Sequence, residues 1–152
     1  MTLTYKFKKE KLENGLYATR PRIMVTLVGP DGSLDIPALL DSGCDITVIP
    51  EGIARALSIE MDGKRNKLFA HRESSDTISS KVNIIFQGKV ERQSVRLNNV
   101  PILVCLEEKG IDEESDIVLG VDTIFDHFDI TFKKSQNKII MKEIEKVKLK
   151  QG

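Results

Sequence analysis

From Arg20 onward, apolar residues recur with a period of two, the signature of strands that bury one face. Ile23, Val25 and Leu27 alternate with Met24, Thr26 and Val28 and predict such a strand. Gly29-Pro30-Asp31-Gly32 has the composition of a turn, because proline presets φ and glycine allows positive φ. Leu34 to Leu40 then predicts the returning strand of a hairpin. A loop of small residues follows, Asp41-Ser42-Gly43-Cys44-Asp45, and after it the β-branched run Ile46-Thr47-Val48-Ile49. Pro50 suits the first position of a helix, and Ile53, Ala54 and Leu57 share one helical face. A helix of about two turns is expected from Pro50 to Leu57.

Residues 60–80 are the most polar stretch, with Leu68 and Phe69 as the main apolar exceptions and a hairpin tip expected near Arg72 to Asp76. Val82, Ile84 and Phe86 alternate up to Gly88; Val90 to Leu97 and Val100 to Leu106 predict two further strands. Six acidic residues against one lysine between Glu107 and Asp116 predict a solvated loop. Asp116 to Gly120 reads as a buried strand ending at glycine, and Val121 to His127 as at least one helical turn. Phe128, Ile130 and Phe132 alternate with Asp129, Thr131 and Lys133, Ser135-Gln136-Asn137 turns, and Lys138 to Lys142 returns. The pattern predicts an all-β chain of eight or nine short strands with two short helices. Its expected divisions are an N-terminal arm or edge strand at 1–19, one domain at 20–143 and a charged C-terminal tail at 144–152.

Composition narrows the function classes. The 152 residues suit one domain, and 40% apolar with 30% charged residues is a globular balance. Basic and acidic residues number 23 each, so counterion release has little to act on and a nucleic-acid partner is not expected. No apolar run approaches the length of a membrane span, and the charged start, Met1 to Glu10, lacks the apolar core of a signal peptide. No membrane partner is expected, and the expected location is cytoplasmic. Cys44 and Cys105 are too few for a disulfide framework. His71 and His127 lack Cys or His neighbours at ligand spacing, so neither a metal nor a cofactor is expected.

Candidate chemistry concentrates at Asp41-Ser42-Gly43. A carboxylate at the end of an apolar strand must stay wet or change its pKa, since burying it alone is costly. As a bare tripeptide these residues serve equally as a loop solvator or a cap. Their context is more specific: two leucines precede the aspartate, a glycine after the serine lets the backbone turn, and a β-branched strand follows. The run Ala38 to Ile49 resembles the active-site segment of the retropepsin-like aspartic proteases. That family's second hallmark, an apolar-apolar-Gly strand late in the chain, has its counterpart in Val118-Leu119-Gly120. The resemblance spans about residues 20–143 and includes the last hairpin, Phe128 to Met141.

The resemblance implies a closed β-barrel, one half of an acid-protease fold per chain, working as a homodimer on a peptide or unfolded-protein substrate. Asp41 would be the catalytic carboxylate, with Ser42 and Gly43 supporting the active-site loop. Asp45 and the flap residues Phe69, Ala70 and His71 would touch substrate. His71 otherwise reads as an exposed loop residue rather than a second catalyst. Cys44 stands where the family has alanine and reads as packing. Val121 stands where retroviral members carry arginine, and Ala70 to Asp76 contains no glycine. Two further functions compete with aspartic endopeptidase: a non-catalytic dimeric peptide-binding or scaffolding module, and a small monomeric barrel with a chance motif. A cation site at Asp112, Glu113, Glu114 and Asp116 lacks the spacing of a calcium loop.

Overall fold

The computed structural model describes residues 1–70, 73–90, 92–106 and 117–145. The acidic segment 107–116, with the acids of the cation-site alternative, lies outside them, as do His71, Arg72 and the tail from 146. Twelve strands are present among the described residues: β1 Thr2–Tyr5, β2 Lys8–Lys11, β3 Tyr17–Arg20, β4 Arg22–Gly29, β5 Gly32–Leu40 and β6 Thr47–Pro50 in the first part. The second part holds β7 Arg65–Ala70, β8 Glu73–Gln87, β9 Ser94–Cys105, β10 Ile117–Leu119, β11 Phe128–Lys133 and β12 Lys138–Glu143. Two short helices, α1 Glu51–Ala56 and α2 Ile124–His127, complete the list.

Six strands close a barrel in the order β4-β5-β10-β6-β9-β8, and the β8–β4 pairing seals it. Closure leaves these strands without a free edge within the ring. The pairings β5–β10 and β6–β9 are parallel and the others antiparallel. The alternation seen in the sequence fills the interior: Ile23, Val25, Leu27, Ile84, Phe86, Ile102 and Val104 are at most 2% exposed. A second sheet, β1-β12-β11, adds Leu3, Phe128, Ile139 and Met141 to the same core. Phe86 of the barrel meets Phe128 of this sheet edge-on, ring centroids 5.1 Å apart. The β2–β3 pair is a separate two-stranded ribbon, tied to the barrel by the Glu10–Arg22 ion pair.

The closed barrel and the two short helices agree with the sequence. Pro50, at φ −63°, stands as the N-cap of α1, and Glu51 and Arg55 pair across one turn at 2.8 Å. Three details differ. More strands form than the eight or nine expected, because the weakly periodic residues 2–20 contain β1, β2 and β3. Val90–Leu97 and Val100–Leu106 do not form two strands. Ser94–Cys105 is one strand with a register shift opposite Val82 and Ile84. Asn99 takes a left-handed φ of 54° there, and its N–H donates to Asn83 Oδ1 at 2.9 Å, so the irregularity is a bulge and not a turn. The hairpin tip also falls earlier than expected: Ala70 pairs with Glu73, so Ser74 to Asp76 lie within β8.

Because Phe86 fills the junction between the barrel and the terminal sheet, Phe86→Ala should lower stability by about 3–5 kcal/mol in denaturant titration. Phe132, 43% exposed, is the control, and its alanine variant should lose less than about 1 kcal/mol.

Candidate active site

Strand β5 delivers Asp41 to one end of the barrel. Leu40 is buried, and its N–H donates to Pro21 O at 3.0 Å. The chain then leaves the sheet in a turn. Gly43 N–H donates to Asp41 Oδ1 at 2.8 Å, and Cys44 N–H donates to Asp41 O at 3.2 Å. The aspartate thus organises its own loop, as aspartate does in Asx-turns. Asp41 is half-buried, while Ser42, Gly43 and Asp45 are exposed.

Strand β10 inserts between β5 and β6 and closes the loop from behind. Val118 pairs with Leu39 on one side and with Val48 on the other. Asp41 N–H donates to Leu119 O at 3.1 Å, Val121 N–H to Cys44 O at 2.8 Å, and Asp122 N–H to Asp45 O at 2.8 Å. Gly120 sits at the closest approach. A Cβ there would lie 2.6 Å from the Ile46 carbonyl carbon and 2.9 Å from Cys44 O, both backbone atoms, so a side chain has no room. The Gly120 N–H donates to Thr47 Oγ1 at 3.1 Å, and Thr47 is completely buried. The two segments singled out in the sequence, 39–43 and 118–120, are therefore joined by backbone hydrogen bonds.

The loop carries two carboxylates, half-buried Asp41 and exposed Asp45. Gly43 N–H occupies Asp41 Oδ1, and no described residue donates a hydrogen bond to Asp41 Oδ2. Beside it, Cys44 Sγ donates to Ile46 O at 3.1 Å. Burial pushes this thiol above its usual pKa, and the charges of Asp41 and Asp45 act in the same direction. Cys44 and Cys105 are both free thiols. Among the described residues no group of three or more His, Cys, Asp or Glu side chains is placed to hold a metal ion.

Phe69 and Ala70 lie at the far end of β7, paired with Ser74 and Glu73. Their hairpin reaches the Asp41 loop through the ring on both sides, by β9 and β6 and by β4 and β5. Of the residues expected to touch substrate, Asp45 shares the loop with Asp41, and His71 lies outside the described residues. Two clefts, of about 480 and 420 Å³, open elsewhere: one beside Pro30, Asp62 and Asn99, the other beside Met1, Arg96 and Glu143. Neither is lined by residues 41–45. Thr47 was not singled out by the sequence pattern. Its signal was a hydroxyl inside the apolar run Ile46 to Ile49, a position that obliges a buried partner.

No family model and no curated protein matches the chain. Solved structures do. The EIAV protease in complex with the inhibitor HBY-793 aligns at 22% identity over 70% of this chain and 86% of that one, with a TM-score of 0.46. A retropepsin-like aspartic protease from Rickettsia conorii aligns at 10% identity over 93% of each chain, with a TM-score of 0.48. This chain is similar to both. Its architecture is described by its own strand order and ring closure.

Two outcomes follow from the loop. Thr47→Val removes the hydroxyl that accepts from the buried Gly120 N–H, so stability should fall by about 1–3 kcal/mol in chemical denaturation, with Thr47→Ser keeping most of it. In a Cys105→Ser background, Cys44 should alkylate with iodoacetamide more slowly than a free thiol at neutral pH. The rate should climb as pH rises beyond the ordinary cysteine range, since a raised pKa leaves less thiolate at any given pH.

Proposed function

We propose that this chain is one half of a retropepsin-like aspartic endopeptidase, a homodimer in which each protomer contributes Asp41. The observation that carries this is the Asp41 loop itself, an aspartate with one carboxylate oxygen held by Gly43 N–H and its backbone clamped to Leu119. A lone carboxylate of this kind lacks the second group that peptide hydrolysis needs. A two-fold axis beside the loop supplies it, because symmetry brings the same residue from the partner.

The chemistry then follows from electrostatics. Two carboxylates in contact cannot both ionise easily, so they share one proton and titrate as a pair. The ionised member takes a proton from a bound water as that water attacks the scissile carbonyl carbon. The protonated member donates to the carbonyl oxygen. Collapse of the tetrahedral intermediate expels the amine, which leaves with a proton from the dyad. Ser42 and Gly43, both exposed beside Asp41, would support the paired loops, and Asp45 would meet the substrate backbone. The β7–β8 hairpin carrying Phe69, Ala70 and His71 would act as the flap over an extended peptide. No cofactor enters this scheme.

Cleavage of a denatured protein such as casein, followed across pH, tests the proposal. The native chain should give a bell-shaped rate profile and sediment as a dimer. Asp41→Asn should lower the rate by about a hundredfold or more without loss of fold. Equal background rates for both proteins would overturn the assignment in favour of a non-catalytic module.

A further inference from the structure

Residues 1–22 carry six of the chain's 23 basic residues and two of its 23 acidic ones, a net charge of +4 in a chain that is neutral as a whole. Most of that excess sits on the β2–β3 ribbon. Its pairing, Lys9 with Thr19 and Lys11 with Tyr17, places those four side chains on one face. All four are exposed. The other face carries exposed Lys8 with Glu10, Ala18 and Arg20, the last three partly buried, and the Glu10–Arg22 ion pair holds it toward the barrel. The paired positions of the ribbon's outward side therefore hold two lysines, one aromatic ring and no acid, and the connecting turn adds the exposed Glu13. At its tip Leu16 is 63% exposed and Tyr17 61%, the highest values among the large apolar side chains described.

We propose that this face docks on an anionic lipid surface. Leu16 and Tyr17 enter the headgroup region, and Lys9 and Lys11 meet the lipid charges. The pairing of an apolar tip with basic flanks is the chemistry of an interfacial anchor. A nucleic acid or an acidic polypeptide would use the lysines but leave Leu16 without a partner. Base stacking is also disfavoured, because Lys9 Nζ already sits 4.6 Å above the Tyr17 ring centroid. Among the described residues no helix is long and apolar enough to span a bilayer, so this contact lies on the surface rather than across it. Two such ribbons in a dimer would add avidity, but the docking does not depend on Asp41 chemistry.

Co-sedimentation of the full chain with vesicles tests this directly, using phosphatidylcholine alone and phosphatidylcholine mixed with phosphatidylserine. The chain should bind the mixed vesicles, spare the neutral ones, and be released by salt. Lys9→Glu with Lys11→Glu should weaken binding roughly tenfold or more. Leu16→Ser with Tyr17→Ser should weaken it by about tenfold. Circular dichroism of both variants should stay native, since the four positions are exposed. In Tyr17→Trp, the indole emission should shift to the blue on the mixed vesicles alone. Asp41→Asn should bind like the native chain, which separates this result from the fate of the protease assignment. Failure to bind the mixed vesicles would overturn the proposal. So would binding that survives the Leu16/Tyr17 change, or equal competition by polyglutamate or RNA, since either marks a site for plain polyanions.

Discussion

The hydrogen bonds from Asp41 N–H to Leu119 O and from Val121 N–H to Cys44 O fix where a polar loop can stand on an apolar barrel. Strand β5 ends in buried Leu40, and the next residue is an aspartate. Left unsupported, a loop of Asp, Ser and Gly would have no reason to hold one conformation, since glycine gives the unfolded chain many alternatives. Strand β10 supplies the support. It is only three residues long, yet it pairs on both sides and ends in a glycine whose N–H finds the buried Thr47 hydroxyl. The pairing of β10 between β5 and β6 brings chain segments 39 and 118 together.

The rest of the chain divides around that constraint. The core of aliphatic strands and the Phe86–Phe128 contact keep the ring rigid. Elements that leave the ring are more polar and less tied. The β7–β8 hairpin extends beyond the pairing with β9, and the β2–β3 ribbon is bound to the barrel through Glu10 and Arg22. Rigid support beneath exposed, sparsely tied elements is the usual disposition of a binding surface. It suits both proposals, since a flap and an interfacial ribbon each need to reach outward from a fixed frame.

The β4–β5 hairpin, α1, β10 and the β11–β12 hairpin were legible in the sequence because each has strong alternation or a capping signal of its own. The ribbon was not. Lys8 to Lys11 has no apolar period, and what orders it is backbone pairing with β3 together with the ion pairs of Glu10 to Arg20 and Arg22. The continuity of β9 was hidden by Asn98-Asn99, which has the composition of a turn, while cross-strand pairing and the Asn83 amide carry the chain through. At the candidate site, Asp41, Ser42, Gly43 and Asp45 were legible because they are neighbours in sequence. The clamp around them was only half visible. Gly120 marked a close approach, but backbone-to-backbone bonds leave no trace in side-chain identity, and the partner of Thr47 is 73 residues away.

The state of Cys44 bears on the chemistry its neighbour is proposed to perform. In the proposed dimer, two carboxylates share one proton, and their pairing already places negative charge at the axis. A thiolate one turn of loop away would add more, in each protomer, and make ionisation of the pair harder. A cysteine thiol is already neutral across the range where carboxylates titrate, and partial burial with the nearby acids pushes the Cys44 thiol further in that direction. The hydrogen bond from its thiol to Ile46 O joins the turn to the residue just before β6, the strand that carries Thr47. A position that reads as packing in sequence thus also ties the Asp41 loop to the strand that follows it.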